Sequence, residues 1–183
     1  MSKQALLVMD VQRAVVDRYP DPAYLPRLRE AIGAARAADV PVIYVTVGFR
    51  PGAPEVDARN KMFGRLAGVQ LPAAAAQANE IHPDVAPEPG DILVTKRRVS
   101  AFAGSDLDMV LRAGDFDHLV LTGIATSGVV LSTLRQASDL DLTLTVLSDG
   151  CLDNDPEVHR VLTEKVFPMQ ADVTTVAEWV AAH

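Results

Sequence analysis

The sequence predicts an α/β fold built on a mostly parallel sheet, and three observations predict it. Short apolar runs recur along the 183 residues, each closed by a turn residue or a charge. Stretches with helical spacing of apolar residues lie between those runs. The runs themselves carry almost no charge until their last position. Continuous apolar runs of this length read as strands buried on both faces. Strands alternating with helices make βαβ units, whose crossovers bring the strands parallel.

In chain order, the first strand is expected at 5–9, ending on Asp10. The β-branched run V-P-V-I-Y-V-T-V gives the second at 40–47, before Gly48. The third, at 92–95, follows Pro89-Gly90-Asp91 and ends on Lys96. The fourth is expected at 118–122 before Gly123, the fifth at 142–147 before Ser148-Asp149-Gly150, and a weaker sixth at 171–174. Helices are expected at 24–38, 106–113, 126–140 and 156–166, the first with Leu25, Leu28, Ile32 and Ala35 on one stripe. Ser105 and Asp155 stand where N-caps would, with Pro156 in a first turn. Residues 72–78 are alanine-rich and suit a helical turn. Residues 48–90 form the exception: a long, proline-rich connection, expected to hold short helices and to serve as a lid or an oligomer contact.

Composition narrows the function. Hydrophobic residues make up 49% and charged residues 22%, enough apolar material for a core and the balance of a single soluble domain spanning 1–183. With 17 basic and 24 acidic residues the formal charge is −7, which argues against nucleic acid or an anionic membrane as partner. No run approaches the roughly 20 apolar residues of a membrane span. The single cysteine, Cys151, excludes an intramolecular disulfide and fits a cytoplasmic protein. No P-loop, G-x-G-x-x-G or G-x-S-x-G signature is present, and His82, His118, His159 and His183 have no ligand spacing, so neither cofactor nor metal is expected.

Ligands of open α/β sheets bind beyond the carboxyl ends of the strands. The residues placed there are Asp10 and Gln12, Lys96, the stretch Gly123–Thr126, and Asp149. A carboxylate and an ammonium held together in a cleft shift one another's pKa and can move a proton. Asp10 and Lys96 suit that chemistry, and they equally suit a plain ion pair. The helix entry at Thr126-Ser127-Gly128 is expected to offer backbone N–H groups to an anion or oxyanion. Asn60, Lys61 and Phe63 could reach over the cleft from the long connection. Phe102 could wall it, and Arg97 or Arg98 could hold an anionic group of a substrate.

Four segments then bear on a family. L-L-V-M-D-V-Q at 6–12, V-T-K-R-R-V-S-A-F at 94–102, L-V-L-T-G-I-A-T-S-G-V-V-L-S-T at 119–133 and L-S-D-G-C-L-D at 147–153 occur in one order. In this the chain resembles the isochorismatase-like hydrolases, the cysteine hydrolase superfamily. The resemblance implies a three-layer α/β/α fold on a six-stranded, mostly parallel sheet, assembled as a homodimer or homotetramer and acting on a small molecule. It maps the family's Asp–Lys–Cys triad onto Asp10, Lys96 and Val129, and a cis peptide onto Ala125–Thr126. It puts Ala125, Thr126 and Gly128 beside the substrate.

Valine has no lone pair to attack an amide, so a thioester mechanism cannot run at position 129. Ser127 would face elsewhere on a helix, Ser132 would lie a turn deeper, and Cys151 reads best as a buried structural thiol. The resemblance also covers isochorismatases with a small residue in place of the cysteine, whose aspartate donates a proton to a vinyl ether. Their aromatic–Ala–His run is absent here, as is the D-x-H element of metal-assisted nicotinamidases, where this chain reads Gly48-Phe49-Arg50-Pro51-Gly52. The sequence therefore leads to a small-molecule hydrolase working by Asp/Lys acid–base chemistry. The alternative is a catalytically silent relative that binds a small molecule or assembles.

Overall fold

The computed structural model describes residues 3–70 and 77–183. Six strands form one sheet: β1 (Gln4–Met9), β2 (Val42–Val47), β3 (Ile92–Lys96), β4 (His118–Ile124), β5 (Thr143–Leu152) and β6 (Asp172–Thr174). Their order is β3-β2-β1-β4-β5-β6, and every neighbouring pair is parallel. The α/β expectation is met.

Alternation along the strands makes the layers. Leu6 and Val8 of β1 face one core, with Val42 and Tyr44 of β2. There they meet Leu28, Ala31, Ile32 and Ala35 of helix α2 (Tyr24–Ala37) and Trp179 of helix α6 (Val176–Ala181). Ala5, Leu7 and Met9 face the other core, with Leu107 and Leu111 of α3 (Leu107–Ala113) and Leu134 and Ala137 of α4 (Leu131–Asp139). Each fully buried Leu or Ile side chain contributes about 1.5–3 kcal/mol of hydrophobic stabilisation. Two short helices are α1 (Arg13–Val16) and α5 (Pro156–Val161).

Several expectations need correction. β3 is an edge strand, and Leu93 is 63% exposed, so it is not buried on both faces. The fifth strand continues through Leu152, because β5 bulges where it pairs with β4 and resumes at Gly123↔Cys151. Cys151 therefore sits within a strand. The third helix begins at Leu107; Ser105 Oγ accepts from the Leu107 amide at 3.3 Å while donating to the Ala101 carbonyl at 2.6 Å. Asp155 does cap α5, accepting from the Glu157 amide at 2.9 Å. The helix expected over 126–140 opens with a π-helical turn, Thr126–Val130, and the one over 156–166 ends in another, Leu162–Val166. Leu25 is only partly buried; Tyr24 and Ala31 complete the buried stripe. Most of the alanine-rich 72–78 patch lies outside the described residues.

Among the described residues of the connection between β2 and β3, Gly64–Leu66 and Pro83–Val85 form single 3-10 turns. The connection is tied to the chain that follows β1 by an isolated bridge between Gln12 and Ile81. Among the described residues no helix is long and apolar enough to cross a membrane.

Candidate active site

The chain leaves β1 toward one sheet edge through β2 and β3, and returns to β1's other side with β4. That reversal makes a crevice at the carboxyl ends of β1 and β4. β1 and β4 approach closely there: a Cβ on Gly123, whose φ is +141°, would lie 2.2 Å from the Met9 carbonyl. Asp10 follows with φ +57°, a left-handed conformation that Asp tolerates better than most residues. Its amide donates to the Val45 carbonyl at 2.8 Å, and the chain turns sharply out of the strand.

Asp10 and Lys96 meet. Lys96 Nζ lies 2.9 Å from Asp10 Oδ2 and donates to the Arg98 carbonyl at 2.8 Å. The residues are 8% and 2% exposed. The second carboxylate oxygen, Oδ1, is buried with no protein hydrogen-bond partner. Burial pushes the Asp10 carboxyl up to about 6; the charge and hydrogen bond of Lys96 pull it down without cancelling the effect. The pair is thus a carboxyl poised to exchange a proton near neutrality, beside a fixed cation.

Both residues line a cavity of about 480 Å³, within the usual range for small-molecule sites. Val47, Ile124, Ala125, Gly128 and Val129 supply wall from the strand ends and the π turn. Val129 is 2% exposed. Phe49, Phe63 and Leu66 cover the cavity from the long connection, with the Phe49 and Phe63 rings 5.4 Å apart. Arg18, Tyr19, Arg65 and Asn79 bring polar groups. Burial, and next the charge of Asp153, raise the Tyr19 phenol, which keeps it a proton-bearing donor.

Of the sequence-predicted residues, Asp10, Lys96, Val129, Phe63, Ala125 and Gly128 lie on the cavity wall. Gln12, Asn60, Phe102 and Thr126 do not. The Gln12 amide donates to the carbonyls of Val47 and Asn79 (3.1 and 2.7 Å) and accepts from the Val47 amide at 2.9 Å. Asn60 Oδ1 folds back onto the amides of Met62 and Phe63, an Asx turn. Phe102 packs in the core. Thr126 is fully buried, and its hydroxyl shares a 2.8 Å hydrogen bond with His159 Nδ1. Arg97 and Arg98 are off the cavity wall, bonded to the Gly48 carbonyl and to the backbone and carboxylate of Glu55.

The helix entry is less open than expected. Its Ser127 amide donates to Asp153 Oδ2 at 2.7 Å, and the Gly128 and Val130 amides turn back to the Ala125 carbonyl. The cis peptide lies at Ile124–Ala125, one bond before the expected position. Cys151 is buried, 3.9 Å from the Leu121 carbonyl and off the cavity wall, and burial pushes its thiol up to about 12. Such a thiol supplies no thiolate near neutral pH.

Arg18, Tyr19, Phe49, Arg65 and Asn79 were not singled out by the sequence. The first two follow β1 at the carboxyl edge of the sheet, a position that strand topology alone could have flagged. The others sit on irregular chain with no periodic signal.

Comparison with known proteins supplies the last observations. The model of the isochorismatase domain matches residues 4–178. The ureidoacrylate amidohydrolase RutB of Stutzerimonas stutzeri is 37% identical over 180 residues, which cover 85% of this chain and 72% of the relative. An isochorismatase family protein from Burkholderia thailandensis superposes with a TM-score of 0.87 at 28% identity, covering 98% of this chain and 95% of that one. N-carbamoylsarcosine amidase from Thermoplasma acidophilum superposes with a TM-score of 0.74 at 27% identity, covering 95% and 96%.

Proposed function

The chain belongs to the isochorismatase family, and from that premise we propose that it hydrolyses a small molecule with Asp10 as general acid and water as the nucleophile. The observation that carries this reading is the Asp10 carboxyl itself. One oxygen is held by Lys96, the other has no protein partner, and the residue borders a cavity. Val129 takes the place of the family cysteine and offers no electron pair, so no thioester forms there.

In the neutral form, Asp10 gives its proton to the substrate, at the leaving heteroatom of an amide or the unsaturated carbon of an enol ether. The Lys96 ammonium stabilises the carboxylate left behind. Water adds to the activated carbon and returns one proton to Asp10; with an amide the already protonated amine then departs, and with an enol ether the hemiketal collapses as its hydroxyl proton passes to the departing oxygen. Phe49, Phe63 and Leu66 of the connection between β2 and β3 act as the apolar cover that limits access of bulk water. The amidase relatives make ureido and carbamoyl amides the first compounds to screen, with enol ethers beside them.

The test is a turnover assay on the substrate that the screen returns. Asp10→Asn is expected to lower kcat by 10²–10⁴-fold, the usual contribution of a general acid. Cys151→Ser and prior treatment with iodoacetamide should leave kcat unchanged. Full activity of the Asp10→Asn protein, or inactivation by the thiol reagent, would refute the reading. Val129→Cys should create a thiol that alkylates in competition with substrate, which tests the position assigned to residue 129.

A further inference from the structure

The cavity carries a charge pattern that acid–base hydrolysis alone does not require. The chain has 13 arginines, and among the described residues eight reach a carboxylate: Arg27, Arg29, Arg36, Arg50, Arg59, Arg97, Arg112 and Arg160. Arg98 and Arg135 bond carbonyl or amide oxygens. Arg18 donates only through Nε, to the Ala14 carbonyl at 3.0 Å, and Arg65 has no side-chain partner among the described residues. Both border the cavity. Arg13, whose side chain has no bonded partner among the described residues, lines a separate surface hollow together with Asp17 and Glu80.

Among the described residues no carboxylate lies within ion-pair distance of Arg18 or Arg65. Asp10 is the one carboxylate on the cavity wall among the described residues, and Lys96 already holds it. In a chain of net charge −7, two unanswered guanidinium groups on one cavity are a local excess of positive charge. They are exposed, whereas Asp10 and Lys96 are buried, so the cavity is positive at its rim and internally paired at its floor. The wall between is apolar and aromatic, with Phe49 and Phe63. Guanidinium groups match the planar fork of a carboxylate.

We propose that Arg18 and Arg65 form an anion-recognising rim and that the substrate is a compact organic carboxylate, its carboxylate at the rim and its unsaturated or apolar body against Phe49 and Phe63. This sends the reacting bond inward, toward Asp10. The inference rests on the reading of this cavity as the substrate site. It also moves anion recognition from Arg97 and Arg98, which hold the loop at Gly48 and Glu55, to residues on a different segment.

The test is equilibrium binding, which needs no turnover. Benzoate and benzamide are matched in shape and differ in charge at pH 8. Calorimetry on the intact protein should find benzoate bound at least tenfold more tightly than benzamide. Arg18→Gln/Arg65→Gln should abolish that preference while changing benzamide affinity less than twofold, with circular dichroism confirming the fold. Raising sodium chloride from 50 to 500 mM should weaken benzoate and spare benzamide in the unaltered protein, which serves as the check if the double variant fails to fold. Equal affinities in the unaltered protein, no binding of either probe, a preference that survives in a folded double variant, or one indifferent to salt would each overturn the inference. Asp10→Asn separates the two proposals: a benzoate preference that persists while turnover is lost supports both. Lost preference with Asp10-dependent turnover sinks only this one.

Discussion

Two carboxylates in this molecule sit low in the surface against a cation, and they are used differently. Asp91, just before β3, accepts from Arg36 Nη2 at 2.5 Å and from the Glu88 amide at 2.8 Å, while Arg36 also reaches Glu88. Asp10, just after β1, meets Lys96 with one oxygen and leaves the other without a protein partner. The first pair fastens α2 to the turn that starts β3. The second borders a cavity, and its carboxyl is raised by burial to about 6. An ion pair by itself does not mark a site; an incompletely bonded carboxylate beside a cavity does.

The comparison breaks most visibly in turnover. Asp10→Asn should cost 10²–10⁴-fold in kcat, and Asp91→Asn should leave kcat within twofold, both measured on the screened substrate. If Asp91→Asn matched Asp10→Asn, the distinction drawn between them would be lost. Stability should sort the cations next. Lys96→Met leaves a buried carboxylate without its partner and should cost about 3–5 kcal/mol in urea unfolding. Arg36→Met, at a partly exposed site, should cost about 1–3 kcal/mol.

The pH dependence is a smaller but sharper measure. The Asp10 carboxyl is higher in the folded than in the unfolded chain, so the native state binds more protons between about 4 and 6. Its contribution is fully present below about pH 4 and is lost as pH rises through about 6. The decline should be roughly 3 kcal/mol, and it should be missing from the Asp10→Asn protein. For the same reason kcat/KM should fall as pH rises past about 6, since the acid form does the work. The smallest effect belongs to Glu88→Gln. That side chain is largely exposed, and unfolding free energy should change by no more than about 0.5 kcal/mol.

The fold was legible because parallel strands here are unbroken apolar runs, and the charges that end them stand out. Asp10 and Lys96 were legible for that reason. What escaped reading was chosen by contacts distant in sequence. Asn60 and Gln12 are polar residues near the site that spend their amides on backbone, and no local pattern distinguishes that use from ligand binding. Phe49, Arg65 and Asn79 reach the cavity because irregular chain is pinned at remote points, by Gln12 at Val47 and Asn79 and by Arg97 and Arg98 near Glu55. The π turn at Thr126–Val130 escaped too, since helical spacing of apolar residues does not tell an α turn from a π turn.

Gln12 has a consequence for anyone who would re-shape this pocket. Its amide presents a donor and an acceptor to Val47 and a donor to Asn79, as an extra peptide group laid between β1, β2 and the covering chain would. Glutamate lacks the donor and asparagine lacks the reach. A library aimed at new substrates therefore has its free positions at Met62, Phe63 and Arg65. It should hold residue 12 constant, because a change there would loosen the frame on which all the other choices are mounted.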